Sequence, residues 1–523
     1  MDRVRAHIAE LASDAYEGRA PATAGGNKSE AYLADQMKAA GIMPGNGDSY
    51  FQAVPMVSIA LNEDRSSVEV VGGAVDLALT FGEEIVYHTR QVKEAIRIND
   101  SDLVFVGYGI VAPEYDHDDY AGIDVTGKTV VMLVNDPGFI TEDPSFFNGK
   151  AMTYYGRWTY KYEEASRQGA AAALIIHQTA PAAYGWNVVE EGWSGPQFDL
   201  VREDGYAGRV KMEGWITEKL AKDLFQFSGL DFAALTKAAQ SPEFQAVPMG
   251  NMKLNASLNS KFEYVTANNV IGKIEGSKAS DEAVLYMAHF DHLGVKNGGK
   301  AGEDVVFNGA VDNATGTAAI LAIGEAFAAA KKPPKRSVII AAVTAEESGL
   351  LGSAYFAENP VMPLSKIVGG MNIDAIIPTG PARDIVVTGL GSSELEDILS
   401  VHAEREGLTL SPESSPEAGL FYRSDHISLA KKGVPMLYLD GGQDLIDGGL
   451  EAGIAAGKAY YAGPYHNVGD EYDPNWNFGT IEQVTSLAYN TGNALARSAA
   501  WPNWYDGSEF KALRDAMRAA QTP

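Results

Sequence analysis

The adjacent carboxylates Glu346-Glu347 follow an apolar run in TAEESGLLGS. Two such groups repel each other unless a cation or a proton-transfer task rewards their proximity. Alone, the pair reads as a solvated helix start, where acidic side chains suit the dipole. His289, Asp312, Asp374 and His466 change that reading. With Glu347 they make two imidazoles and three carboxylates, a donor set suited to two zinc ions. Each ion would take one histidine, one terminal carboxylate and a share of a bridging carboxylate. Two ions roughly 3.5–4 Å apart can hold a hydroxide between them and polarise a carbonyl oxygen. Glu346, left unligated, is then the general base on that water and later protonates the leaving amine. Asp291, two residues beyond His289, is placed to accept that ligand's other ring N–H and fix its tautomer.

The elements that must position these residues share one design. Residues 284–287 run into Ala288-His289-Phe290-Asp291, and 337–343 run into the Glu346-Glu347 pair. Residues 367–373 end at Asp374, and 434–439 end at Asp440. Short apolar runs without alternation predict strands buried on both faces, as in a parallel sheet between helices. Each releases polar residues at its carboxyl end, where open α/β sheets bind their ligands. Residues 308–316, NGAVDNATG, lead into a predicted helix over 317–330, with Ile320, Ile323 and Phe327 on its buried face. Asp312 and Asn313 could serve only as a helix cap. Their glycine-flanked turn would equally let backbone come close to an ion. The expected fold class is α/β: a mixed, largely parallel sheet flanked by helices, with a β-rich inserted second domain.

HFDHLG, NGAVDNATG, TAEESGLLGS, NIDA and YHNVGD stand in an order and spacing that resembles the family-28 metallopeptidases. That group includes bacterial leucyl-type aminopeptidases, vacuolar aminopeptidase Y and glutamate carboxypeptidase II. The resemblance runs closely from Asn268 to near Ala499 and more loosely over the N-terminal part. It implies a phosphorylase/hydrolase-like zinc exopeptidase fold. It further implies that His289 and Asp374 hold one zinc, Glu347 and His466 the other, and Asp312 bridges them. Glu346 would be the base, with Asp291 behind His289. Tyr465 would help stabilise the oxyanion, although it reads equally as a packed aromatic. Phe421-Tyr422-Arg423-Ser424-Asp425-His426 resembles the family's turn beside the substrate pocket, so Arg423 and Asp425 join Tyr465 as candidate substrate-binding residues. An arginine beside an aspartate also reads as a structural ion pair. His292 is expected to support the site from behind or to serve the fold. His7, His88, His117, His177 and His402 lie outside the motifs.

The rest of the chain is consistent with this chemistry. Its 523 residues suffice for more than one domain, and 46% hydrophobic with 21% charged residues is ordinary for a globular protein. A net charge of −28 argues against nucleic acid or anionic lipid as a partner. The absence of cysteine excludes disulfides, thiolate ligands and cysteine nucleophiles. No apolar run is long enough for a membrane span, and no signal peptide is visible at Met1-Asp2-Arg3. Relatives of this layout are commonly exported, which implies a periplasmic or secreted protein whose leader is missing from this sequence.

Three segments are expected. Residues 1–60 form an N-terminal lead packing on the catalytic domain, with Ile8, Leu11, Tyr32, Leu33, Met37 and Ile42 as core candidates around the turn-rich AYEGRAPATAGG. Residues 61–250 form a β-rich insertion that looks like a protease-associated domain, or else an unrelated β-rich insert. Residues 251–523 form the di-zinc catalytic domain. Two glycine-rich insertions, 294–304 and 441–464, are expected to be loops near the ligands, the second a lid or wall. The combined expectation is a di-zinc exopeptidase that removes an unblocked N-terminal residue from a peptide substrate. Its alternatives are a carboxypeptidase, a glutaminyl cyclase-like relative and a non-catalytic receptor-like relative. The oligomeric state is left open.

Overall fold

The computed structural model describes residues 1–206, 208–296 and 302–520, which fall into two compact units. Unit 1 comprises Met1–Pro55, Thr266–Ser414 and Arg423–Pro523; unit 2 comprises Met56–Val265 and Ser415–Tyr422. The chain therefore passes between units at 55/56 and 265/266, where 60/61 and 250/251 were expected, and again on either side of 415–422.

The centre of unit 1 is a sheet of four parallel strands in the order Arg336–Val343, Ala279–His289, Ile367–Ile373 and Met436–Asp440. These are the four apolar runs read from the sequence. Every residue of Arg336–Val343 and Ile367–Ile373 is buried, which is why neither run alternates. Antiparallel strands close both sides: the end of Val247–Ile274 beside Arg336–Val343, and Asp384–Thr388 beside Met436–Asp440. Parallel order puts the carboxyl ends of the central strands together, so the residues that follow them converge.

Helices cover the sheet. Gly316–Ala328 buries Ile320, Ile323 and Phe327, as the 3.6-residue spacing predicts. The N-terminal lead forms helices Asp2–Leu11 and Ala24–Ala39. Ile8, Leu11, Leu33, Met37 and Ile42 join the same core as the sheet, with Tyr32 half-buried against it. One expectation is corrected here. The stretch 441–464 is largely a helix, Gly449–Ala462, not a loop. Its alanines favour helix, and Gly453 is required because a Cβ there would lie 2.0 Å from the Gln443 carbonyl oxygen. In the other insertion, Gly294–Val295 pairs with Val306–Phe307; residues 297–301 lie outside the described residues.

Unit 2 combines β-strands with helices. Ala95–Phe105, Thr129–Leu133, Ala172–His177 and Met212–Thr217 are parallel neighbours, with the helix Trp158–Arg167 between the second and third in the chain. Antiparallel pairings of Val247–Ile274 with Ala95–Phe105 and Ser67–Val71 complete its sheet. Among the described residues, no helix is long and apolar enough to cross a membrane.

Candidate metal centre

The carboxyl ends of the unit 1 strands bring the expected ligands together. His289 ends its strand with 1% exposure. Its Nε2 lies 3.1 Å from Asp374 Oδ1 and 3.3 Å from Asp312 Oδ1. His466 Nε2 lies 3.3 Å from the other Asp312 oxygen and 3.1 Å from Glu347 Oε2. The two oxygens of Asp312 thus face different imidazoles. Ligand atoms of His289, Asp312 and Glu347 lie within 4.8 Å of one another, and so do those of His289, Glu346 and Asp374. Glu346 is therefore within reach of the His289–Asp374 side.

The charges at this end of the sheet do not balance among themselves. Burial pushes the Glu346 carboxyl well above the usual range; the charge of His289 opposes this, and Glu347 and Asp374 add to it. Burial alone would raise Glu347, but His466 and His292 hold it down at about 2. His466 in turn is raised to about 10, because Glu347 and Asp312 outweigh the cost of burying an imidazolium. Asp425, fully buried, is pushed up to about 7 by desolvation. Nitrogen and oxygen donors converging in this way, with carboxylates in excess, fit a site for divalent cations, zinc among them.

Neighbouring side chains orient the residues of this cluster. His289 Nδ1 lies 3.2 Å from the Asp291 backbone oxygen and 3.9 Å from its carboxylate. A carbonyl oxygen only accepts, so Nδ1 donates and Nε2 is left to face the carboxylates. The Asp291 carboxylate accepts instead from the backbone N–H groups of Glu346 and Glu347, at 3.1 and 3.4 Å. His292 Nδ1 donates to Glu347 Oε1 at 2.7 Å, so it backs one of the expected ligands. Tyr465 stacks on the His466 ring at 4.0 Å between centroids, and its hydroxyl accepts from Arg423 at 3.3 Å.

Of three further contributors, Ser424 and Asp470 were not singled out in advance and Asn313 was read only as a helix cap. Ser424 Oγ donates to Asp374 Oδ2 at 2.6 Å and accepts from Asn372 Nδ2 at 2.7 Å. The Asp470 carboxylate accepts from the backbone N–H of Val311 and Asp312, both at 3.0 Å, and from the Tyr460 hydroxyl at 3.2 Å. Asn313 Oδ1 accepts from Gly316 N and Ala375 N, joining the Asp312 turn to the chain after Asp374. All three sit inside motifs already singled out, so motif membership was the available signal.

The arrangement has counterparts in known proteins. Residues 269–491 match the model of peptidase family M28. Leucine aminopeptidase 2 of Arthroderma otae is 28% identical over 269 residues, 49% of this chain and 50% of the relative. A probable zinc metalloprotease of Pyrenophora tritici-repentis is 32% identical over 155 residues, 29% of each chain. The chain thus spans half or less of the length of these curated relatives. Among solved structures, an aminopeptidase from Aneurinibacillus sp. strain AM-1 aligns over 97% of this chain and 94% of its own. Its TM-score is 0.52 at 18% identity, so the likeness is one of fold. The matched residues 269–491 carry His289, Asp312, Glu346, Glu347, Asp374 and His466, so the part of the chain similar to peptidase family M28 is the part that holds this cluster.

Proposed function

We propose that this chain is a di-zinc aminopeptidase acting on peptides with a free N-terminus. The observation that carries the reading is Asp312, whose two oxygens face His289 on one side and His466 on the other. One carboxylate between two imidazole–carboxylate pairs, His289 with Asp374 and His466 with Glu347, is the layout of a two-ion site. Relatives named leucine aminopeptidase and probable zinc metalloprotease support the activity and the metal.

Zinc, when bound by these five residues, supplies Lewis acidity toward the scissile carbonyl and a lowered water pKa. The chain's residues do the rest. Glu346 takes a proton from the attacking water and returns it to the leaving amine. The backbone N–H groups of Glu346 and Glu347, held by Asp291, fix where the two carboxylates leave the main chain. Tyr465, braced by His466 and Arg423, presents its hydroxyl toward the developing oxyanion. Arg423 borders the substrate, whereas Asp425, expected beside it, has no exposed surface and does not touch substrate. Unit 2 is read as a protease-associated-like insertion, and the export implied by the family resemblance is part of the same reading.

The test is hydrolysis of aminoacyl-anilides beside N-acetylated and C-terminally free dipeptides, with metal analysis of the same preparation. Turnover of free-amine substrates only, with about two zinc ions per chain, is expected. Turnover only of blocked peptides with a free carboxylate would replace this reading by a carboxypeptidase, with Arg423 on the terminal carboxylate.

A further inference from the structure

Arg19, in the turn-rich AYEGRAPATAGG segment, is 0% exposed. Glu17, Gly18 and Arg19 all have left-handed backbone, at φ 46°, 62° and 53°. This turn drives the side chain inward. Gly18 is required there, because a Cβ would lie 2.2 Å from the Gly294 carbonyl oxygen. Once inside, the guanidinium donates to Phe290 O and Leu11 O at 2.7 Å, Asn308 O at 2.5 Å and Gly309 O at 2.8 Å. Each of these partners is a carbonyl oxygen, so none neutralises the cation.

The choice of carbonyls is informative. Phe290 follows His289 directly, and Asn308-Gly309 open the turn that carries Asp312. Gly309 is itself left-handed, at φ 55°, and a Cβ on it would lie 2.3 Å from the Asp312 carbonyl oxygen. One planar fork therefore ties both ligand-bearing segments to the first helix. A buried charge of this kind is costly unless opposite charge lies near. Here burial lowers the guanidinium to about 10 while Asp470, Asp291, Asp312 and Glu347 draw it back up, so it stays charged at neutral pH.

We propose that Arg19 is a positioning residue of the metal centre, clamping the His289 and Asp312 segments in ligand geometry and placing a fixed positive charge behind the carboxylates. The proposal rests on the two-ion reading above and adds to it a residue outside 269–491. A lysine could replace the charge but not the fork, since only guanidinium presents its donors in one rigid plane.

The experiment compares wild type, Arg19→Lys and Arg19→Met. Thermal unfolding of the metal-free proteins is followed by zinc affinity from chelator competition and by the visible spectrum of the cobalt-loaded forms. We expect folded Arg19→Met to bind zinc roughly 10–100-fold more weakly, with an altered cobalt spectrum, as when other groups that orient ligands are lost. Arg19→Lys should recover part of that affinity. Wild-type affinity and spectrum in folded Arg19→Met would overturn the proposal. If Arg19→Met does not fold, Arg19→Lys decides: weakened zinc binding at near wild-type melting temperature supports the clamp, and unchanged binding overturns it. If neither variant folds, Arg19 serves the fold and not the centre, which also overturns it. Wild type that binds neither zinc nor cobalt would sink the two-ion reading itself, a result distinct from any difference among the variants.

Discussion

Both units bury charged groups at the carboxyl ends of parallel strands, yet the two clusters are built differently. In unit 2, Lys161 is 0% exposed and donates to Tyr108 O at 2.6 Å and Asn135 O at 2.7 Å. Asp136 accepts from Gly138 N, Thr153 N and the Thr153 hydroxyl, and Asp119 accepts from Tyr108 N and Ile110 N. Burial lowers Lys161 to about 7, and Asp136 and Asp119 pull it back. His117 Nε2 lies 3.0 Å from Asp119 Oδ1, so Lys161 and His117 set two basic side chains beside the two carboxylates. In unit 1 the clustered carboxylates face one another and two imidazoles, and the fixed cation behind them, Arg19, is shared among several acids. A buried cluster that balances its own charge is architecture. One with carboxylates in excess is stable only if a cation or bound protons join it.

That contrast is tested most severely at Glu346. If it is the base and not a ligand, Glu346→Gln should keep its zinc and lose roughly 10²–10⁴-fold in kcat. Zinc content by metal analysis and kcat on an aminoacyl-anilide decide it. Loss of zinc would mean that Glu346, which lies within ligand reach of His289 and Asp374, holds the ion and that its role has been exchanged with that of Glu347.

The balanced cluster should respond in the opposite way. Lys161→Met leaves the Tyr108 and Asn135 carbonyls without their donor and removes the buried cation that attracts Asp136 and Asp119; a buried group stripped of its hydrogen-bond partner costs about 1–3 kcal/mol. Urea unfolding should show that loss in the transition assigned to unit 2, with zinc per chain unchanged. Unaltered unfolding would show that the carboxylates of unit 2 do not depend on Lys161.

The same contrast explains what could be read in advance. The four central strands were legible because burial on both faces leaves an unbroken apolar run, as in 337–343 and 367–373. The cluster of His289, Asp312, Glu347, Asp374 and His466 was legible as a cluster because imidazoles and carboxylates at strand ends have few structural uses. Ser424, Asp470 and Arg19 were harder to read. Asp470 and Arg19 act on backbone groups, of Val311 and Asp312 and of Phe290, Asn308 and Gly309, and any residue carries those groups. No residue type in the partner segment advertises the contact. The helix Gly449–Ala462 was hidden because glycine signals a loop, whereas Gly453 is there for close approach to Gln443.

The smallest expected effect is a difference of sign between the units as pH rises. In metal-free protein His466 is raised to about 10 by Glu347 and Asp312 against the cost of its burial, from about 6.5 when unfolded. Its stabilisation is fully present below about 6.5 and is lost as pH rises through about 10. Lys161 runs the other way. Burial depresses it to about 7, against about 10.4 in the unfolded chain, so the unfolded state binds more protons between those values and stability rises with pH. Between pH 7 and 10 the unit 1 transition of metal-free protein should therefore fall by a few degrees relative to that of unit 2. Peptide-resolved hydrogen exchange during thermal unfolding separates the two. The growing net negative charge acts on both units, so the difference between them is the signal. Zinc should abolish the His466 contribution, because a coordinating imidazole carries no proton on the ligating nitrogen. Equal slopes in both units, with and without zinc, would mean that these buried charges do not govern the pH response.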